Sequence, residues 1–296
     1  MVMESNYSEI HKNDPSLIIF NRVAYTPVFI LGLVLNFSAL WCFKRTPQWT
    51  DTHIYMLNLL LTDFLLTLFL PFRIIETFRP MKLTGLCTFL ICVHYTNMYA
   101  SIFTITAISI HRYSAVRFPI WNKSSGASEA RRKKIASGTC LFIWLFVIIL
   151  CIIFSPNMHS DKLRTCYVRK DAEKMSYQFL LVLEILGYLL PIVTITTCST
   201  QTIRTLLKSL KDIREHTEEE IIDKRKNVIA IITANMIVFI VCFTPIHAGY
   251  LVRYFSELNN TVRYFYEVSE WLATTNCCLD SVGYYFLLKK VFRDKR

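Results

Sequence analysis

Thr104 to Trp121 reads Thr-Ile-Thr-Ala-Ile-Ser-Ile-His-Arg-Tyr-Ser-Ala-Val-Arg-Phe-Pro-Ile-Trp. An apolar helical run ends on His111-Arg112-Tyr113, and a Pro119-Ile120 step follows where the chain leaves the helix. An arginine at the end of a spanning segment is costly unless it reaches water or a partner. Taken alone, the stretch reads equally as a stop signal at the lipid interface or as a functional contact. The flanking sequence separates the two.

Apolar runs recur at 18–43, 54–72, 83–110, 135–154, 177–198, 228–251 and 262–288. Each covers the ~20 residues that a helix needs to cross ~30 Å of hydrocarbon. With 53% hydrophobic residues and a mean hydropathy of +0.36, the chain is too apolar for an ordinary soluble domain. Seven glycines, abundant Leu, Ile and Phe, and no strict polar–apolar alternation favour helices over a barrel. The expected fold is all-α, a seven-transmembrane helix bundle with its termini on opposite sides. Its parts are a polar N-terminus at 1–17, the spanning domain at 18–288, and a short basic amphipathic helix at 289–296.

Placing the N-terminus outside puts most of the 33 lysines and arginines inside, including those at 131–134, 224–226 and 289–290. The net charge of +11 then reads as topology and contact with anionic membrane lipids. It does not read as a nucleic-acid surface, which would need a basic soluble domain. Residues 1–17 lack the apolar core of a cleavable signal, so the first span is expected to direct insertion.

Of ten cysteines, eight lie inside apolar runs as small packing residues. Cys87 and Cys166 fall at outer ends or loops, where an oxidising exterior permits a bond between them. No Cys-x-x-Cys or His-rich spacing suggests zinc. Asn6-Tyr7-Ser8 and Asn259-Asn260-Thr261 are glycosylation sequons on the expected outer side. Those at Asn36 and Asn122 fall inside a span and on the inner side.

The spans carry residues that lipid would not choose. Asn36 needs hydrogen-bond partners from a neighbouring helix. Asp63 is an ionisable group in mid-membrane, where such residues face the bundle interior. Pro191 and Pro245 each release a backbone carbonyl and can kink a helix. Trp144, Cys242-x-x-Pro245 and Asp280-x-x-x-Tyr284 complete the set.

In their order and spacing, these markers resemble the class A, rhodopsin-like, G-protein-coupled receptors over nearly the whole chain. Ile54–Asn58, Leu70–Arg73, Met98–Ile105 and Asn276–Asp280 look most like the branch holding the lysophosphatidylinositol receptor and the kynurenic-acid-responsive receptor. The resemblance implies a plasma-membrane receptor with its N-terminus extracellular and its C-terminus cytoplasmic. An extracellular agonist would shift a pre-existing equilibrium by binding the active state more tightly. A heterotrimeric G protein would then dock near Arg112, Tyr113, Pro119 and Ile120. Phe243, Pro245, Asp280 and Tyr284 would form the switch. The receptor itself would do no covalent chemistry.

Four positions depart from that pattern. His111 stands where the family has an acid, so the local carboxylate that restrains Arg112 is missing. Phe243 replaces a tryptophan, Ser281 stands where the seventh-helix motif has a proline, after Asp280, and Ser199 falls where a tyrosine is usual. These departures imply either elevated basal signalling or a substitute restraint on Arg112.

Two candidate sites follow from the resemblance. Asp63, Ser101, Asn276 and Asp280 would converge mid-bundle, suited to an allosteric sodium ion or to one proton shared between two carboxylates. Arg73, His94, Tyr95, Met98, Tyr250, Arg253, Arg263, Tyr266 and Glu270 would line an outward cavity. Its basic members suit a phosphate or carboxylate, hence an anionic lysophospholipid or small organic acid. Arg73 has an alternative role in a salt bridge to Glu270 or Glu76. His94 has one as a packing histidine, and Arg253 and Arg263 as rim decoration. An amine agonist lacks an outer aspartate on the third helix, and retinal lacks a lysine inside the seventh. With the chain ending soon after the last span, arrestin binding would fall to the inner loops. The competing reading is a polytopic transporter or channel, but no internal repeat is visible. Enzyme motifs such as His-Glu-x-x-His and Gly-x-Ser-x-Gly are absent.

Overall fold

Thr50 opens a helix by closing a capping box with His53: the Thr50 N–H donates to His53 Nδ1 at 3.1 Å. Thr84 caps the next helix through Leu86 N–H, and Ser176 caps another through Phe179 N–H. The computed structural model describes residues 15–45, 49–118, 129–170, 173–213, 219–257 and 259–293. Within them lie α1 (Pro15–Lys44), α2 (Asp51–Glu76), α3 (Gly85–Arg117) and α4 (Glu129–Phe154). After a two-stranded hairpin, β1 (Leu163–Thr165) and β2 (Val168–Arg169), come α5 to α7.

Helix α5 is composite, running from Tyr177–Leu181 through a π-helical turn, Val182–Leu189, into Leu190–Ile213. Pro191 explains the change of register. It has no N–H to offer the Gly187 carbonyl, and its ring crowds that oxygen. Helices α6 (Glu219–Phe255) and α7 (Asn260–Arg293) follow. Pro71 and Pro245 sit inside α2 and α6 without ending them. The stretch expected as a separate amphipathic helix is helical to Arg293, in one piece with α7.

Six of these helices are long and apolar enough to cross a membrane, and α7 completes the set of long helices. Many of their large apolar side chains point outward, as Ile149, Ile152 and Ile153 do on α4. That is the inverse of a water-soluble core and suits lipid. The helices close into a ring in which α1 packs on α2 and α7, α5 on α6, and α6 on α7. Helix α3 runs inside, against α2, α4 and α5.

Polar side chains stitch the interior. Asn58 donates to Thr104 Oγ1 at 2.8 Å and accepts from Trp144 Nε1 at 2.9 Å, tying α2, α3 and α4. Asn36 donates to the Cys277 carbonyl at 3.0 Å and accepts from Ser281 Oγ at 3.0 Å, tying α1 to α7. The expected partner for the Asn36 amide is thus α7.

Candidate functional site

The Cys87–Cys166 disulfide forms, with a Cα–Cα separation of 4.9 Å. It joins the start of α3 to the hairpin and marks one end of the bundle. Glu76, at the end of α2, holds the same hairpin, accepting from Cys166 N–H at 2.8 Å, and also holds the α2–α3 connection, accepting from Met81 N–H at 2.6 Å. Glu76 is therefore occupied with loops and is not the partner of Arg73.

Arg73 is buried and faces α7. Its guanidinium lies 2.8 Å from Glu270 and 3.2 Å from Glu267, and it stacks over Tyr25 at 4.4 Å. His94 Nε2 approaches Glu270 at 3.6 Å. Asn21 donates to Glu267 at 3.4 Å. Two acids thus share one guanidinium, which commits Arg73 to the fold. Glu267 has no mark in the sequence beyond lying near one turn before Glu270, on the same helical face.

This cluster stands between two cavities, not inside one. The first lies between α1, α2, α7 and the hairpin; it measures about 170 Å³ and includes Arg73, Arg263, Glu267 and Tyr167 in its lining. The second, about 50 Å³, lies among α3, α6, α7 and the hairpin. His94, Tyr95, Arg253, Tyr266 and Glu270 line it together with Arg169 of β2, which no sequence motif marks. The Arg169 guanidinium donates to the Asn157 carbonyl, while its Nη1 is buried with no hydrogen-bond partner. Arg253 stacks over Tyr266 at 5.0 Å. Met98 and Tyr250 lie deeper, in the hydrophobic core, with Tyr250 stacked on Tyr95 at 6.3 Å. The nine expected cavity residues therefore divide among two chambers and the core beneath them.

A narrow apolar groove adjoins the second chamber. Phe103, Leu150, Phe154, Leu183 and Leu186 line it between α3, α4 and α5. Tyr95 and Met158 belong to both groove and chamber. Gly187 and Tyr99 also line the groove, and there the Tyr99 ring reaches the α5 backbone: a Cβ on Gly187 would sit 2.2 Å from Tyr99 Cε1. On the α6 side of α5, Glu184 Oε1 and His247 Nδ1 are 3.4 Å apart without a hydrogen bond. The His247 ring stacks on Tyr188 at 4.7 Å, about one turn along α6 from Phe243 and two from Phe239. No motif marks Glu184 or His247, since only the packing of α5 on α6 makes them neighbours.

Mid-bundle, Asp63, Ser101, Asn276 and Asp280 are all buried. Asn276 donates to Asp280 Oδ2 at 2.8 Å, and Ser101 donates to Thr62 Oγ1 at 2.9 Å. Asp63 Oδ2 and Asn276 Oδ1 are buried oxygens without a hydrogen-bond partner. Orphaned acceptors of this kind fit a small hard cation, a proton or water.

At the opposite end, Arg112 lines a small cavity with Ser109, Ser199, Thr202, Ile232 and Asn235. Among the described residues no carboxylate lies against it. His111 instead meets Asp51 at 3.0 Å. Tyr113 packs edge-on against Phe118 at 6.3 Å. Phe243 is buried against Phe239 at 5.3 Å, and Pro245 is within α6. Asn259 is exposed at the start of α7, and its side chain caps Val262 N–H at 2.9 Å. Asn6, Pro119, Ile120 and the Tyr284 side chain lie outside the described residues.

The profile described as "7 transmembrane receptor (rhodopsin family)" matches residues 35–284. G-protein coupled receptor 55 of Homo sapiens is 31% identical over 280 residues, covering 90% of this chain and 84% of its own. G-protein coupled receptor 35 of Homo sapiens is 31% identical over 299 residues, covering 97% and 91%. Lysophosphatidic acid receptor 6 of Homo sapiens is 31% identical over 300 residues, covering 95% and 84%.

Proposed function

Since the chain belongs to the rhodopsin family of seven-transmembrane G-protein-coupled receptors, we propose that its agonist is an anionic amphiphile of the lysophospholipid class. One observation carries this reading: a chamber holding Arg169 and Arg253 shares the wall residues Tyr95 and Met158 with an apolar groove. An anionic head in the chamber would find cations, and one acyl chain would lie along the groove. Arg73, balanced by two carboxylates, would act as the chamber wall. The lysophosphatidic acid receptors among the relatives support the class. A small organic acid would use the same chamber and leave the groove to lipid.

In this reading the disulfide end faces outside, with Asn6 and Asn259 open to glycosylation. The protein sits in the plasma membrane, and the G protein docks at Arg112 together with Tyr113, Pro119 and Ile120. Arrestin is a further inner-face partner. The test is nucleotide exchange on a panel of heterotrimeric G proteins. The probes are anionic lysolipids, a zwitterionic lysolipid and aromatic acids. Arg169→Ala with Arg253→Ala is expected to lower anionic-lysolipid potency about tenfold or more, the effect of losing charge-assisted bonds. Unchanged potency, or silence toward every lysolipid and acid, would overturn the reading.

The mid-bundle site belongs to the same proposal. Asp63 and Asp280, with Asn276, would hold a sodium ion that supplies positive charge between the two carboxylates and favours the resting state. Ser101 on α3 adjoins them through its bond to Thr62. Added sodium chloride, against choline chloride, is expected to lower ligand-free exchange, and Asp63→Asn to remove that response. Insensitivity to sodium would leave the shared proton as the better account.

A further inference from the structure

His111 Nε2 lies 3.0 Å from Asp51 Oδ2, and the same oxygen is 3.5 Å from Arg132 Nε. Three helices meet at that carboxylate: α2 gives the acid, α3 the imidazole and α4 the guanidinium. Asp51 is the first residue of α2, where the helix dipole favours negative charge, and its other oxygen accepts the Thr52 N–H at 3.1 Å. The acid is therefore fixed on a rigid element. Tyr55, buried beneath, sets its ring 5.5 Å from that of His111.

Exposure ranks the two contacts. The Asp51 and His111 side chains are only 14% and 27% exposed, whereas Arg132 is 46% exposed. Water screens the arginine contact most, so the Asp51–His111 bond carries the larger share. Its position matters more than its strength. His111 and Arg112 are adjacent on α3 and so project about 100° apart around the helix. One faces α2 and α4; the other faces the cavity bounded by α5 and α6. Whatever fixes the rotation of α3 through His111 also fixes where Arg112 points.

We propose that Asp51 is a positioning residue for Arg112, acting through the His111 bond that holds α3 against α2 and α4. It supplies from α2 the resting restraint that a carboxylate beside Arg112 would otherwise give. This reading rests on family membership and on no assumption about the agonist, because its test adds none.

The experiment measures ligand-free nucleotide exchange on a panel of heterotrimeric G proteins, at matched surface abundance. Asp51→Asn and His111→Phe, which keeps a ring against Tyr55, are each expected to raise exchange about fivefold, and the double variant no further. Asp51→Glu is expected to stay near the parent. A merely structural role would lower abundance or thermal stability without raising exchange. Unchanged or reduced exchange in Asp51→Asn, additive effects in the double variant, or no exchange with any G protein would each overturn the proposal.

Discussion

At the disulfide end Arg73 meets Glu270 and Glu267 at 2.8 and 3.2 Å, whereas at the other end Arg112 faces Ser109, Ser199, Thr202 and Asn235. Both arginines lie within the bundle, yet one is held by two charges and the other by none among the described residues. The first arrangement is costly to disturb, because removing the cation strands two buried acids. The second is easily redirected. A bundle that must be firm where it shapes a cavity and changeable where it meets a partner would divide its charges in this way.

Removing one side of the firm end should give the largest effect. Arg73→Ala is expected to cost about 3–5 kcal/mol. It would be read as a fall in surface abundance and in the thermal midpoint of purified receptor. Arg73→Met with Glu267→Gln and Glu270→Gln should recover most of that loss, which would show that stranded charge is the cause. Cys166→Ser comes next, at about 2–5 kcal/mol, the range for a native disulfide. Glu76 still grips the hairpin in that variant, so thermal melting should fall before the helices lose their circular dichroism.

Further in, Asn58→Ala removes the bonds to Thr104 and Trp144 together, and about 1–3 kcal/mol is expected from thermal melting. Gly187→Ala asks whether the α3–α5 contact yields. The Tyr99 ring must move to admit a methyl group, so a loss of about 1–3 kcal/mol is expected, with altered ligand potency. Smallest is His159→Ala. His159 and Asp161 pair at 2.8 Å in the open, and the substitution should leave melting within the scatter of the measurement.

The sequence made the spans legible because lipid imposes a length and a composition on each of them. It also made Asn36 legible, since an amide inside a span must find a partner. The Cys87–Cys166 bond could be read because those two cysteines alone fall at the outer ends of spans or in outer loops. Other contacts left no local trace. Asp51 follows Thr50 and looks like any acid at a helix start. Arg169 is one basic residue among several in a loop. Glu184 and His247 are 63 positions apart and meet only through the packing of α5 on α6. The expected single cavity was divided by Glu267, whose pairing with Arg73 depends on the rotation of α7 and not on any motif.

The grip of Glu76 on the hairpin also has a kinetic meaning. One carboxylate holds the Cys166 and Met81 amides, and the disulfide pins the same loop to α3. The roof of the second chamber is therefore tied down in the folded protein by contacts with both α2 and α3. If the agonist binds there as proposed, it would neither wait for a lid to close nor bear the entropy of fixing one. Its association rate would then be set by passage into the chamber, and differences in affinity among related ligands would appear chiefly as differences in residence time.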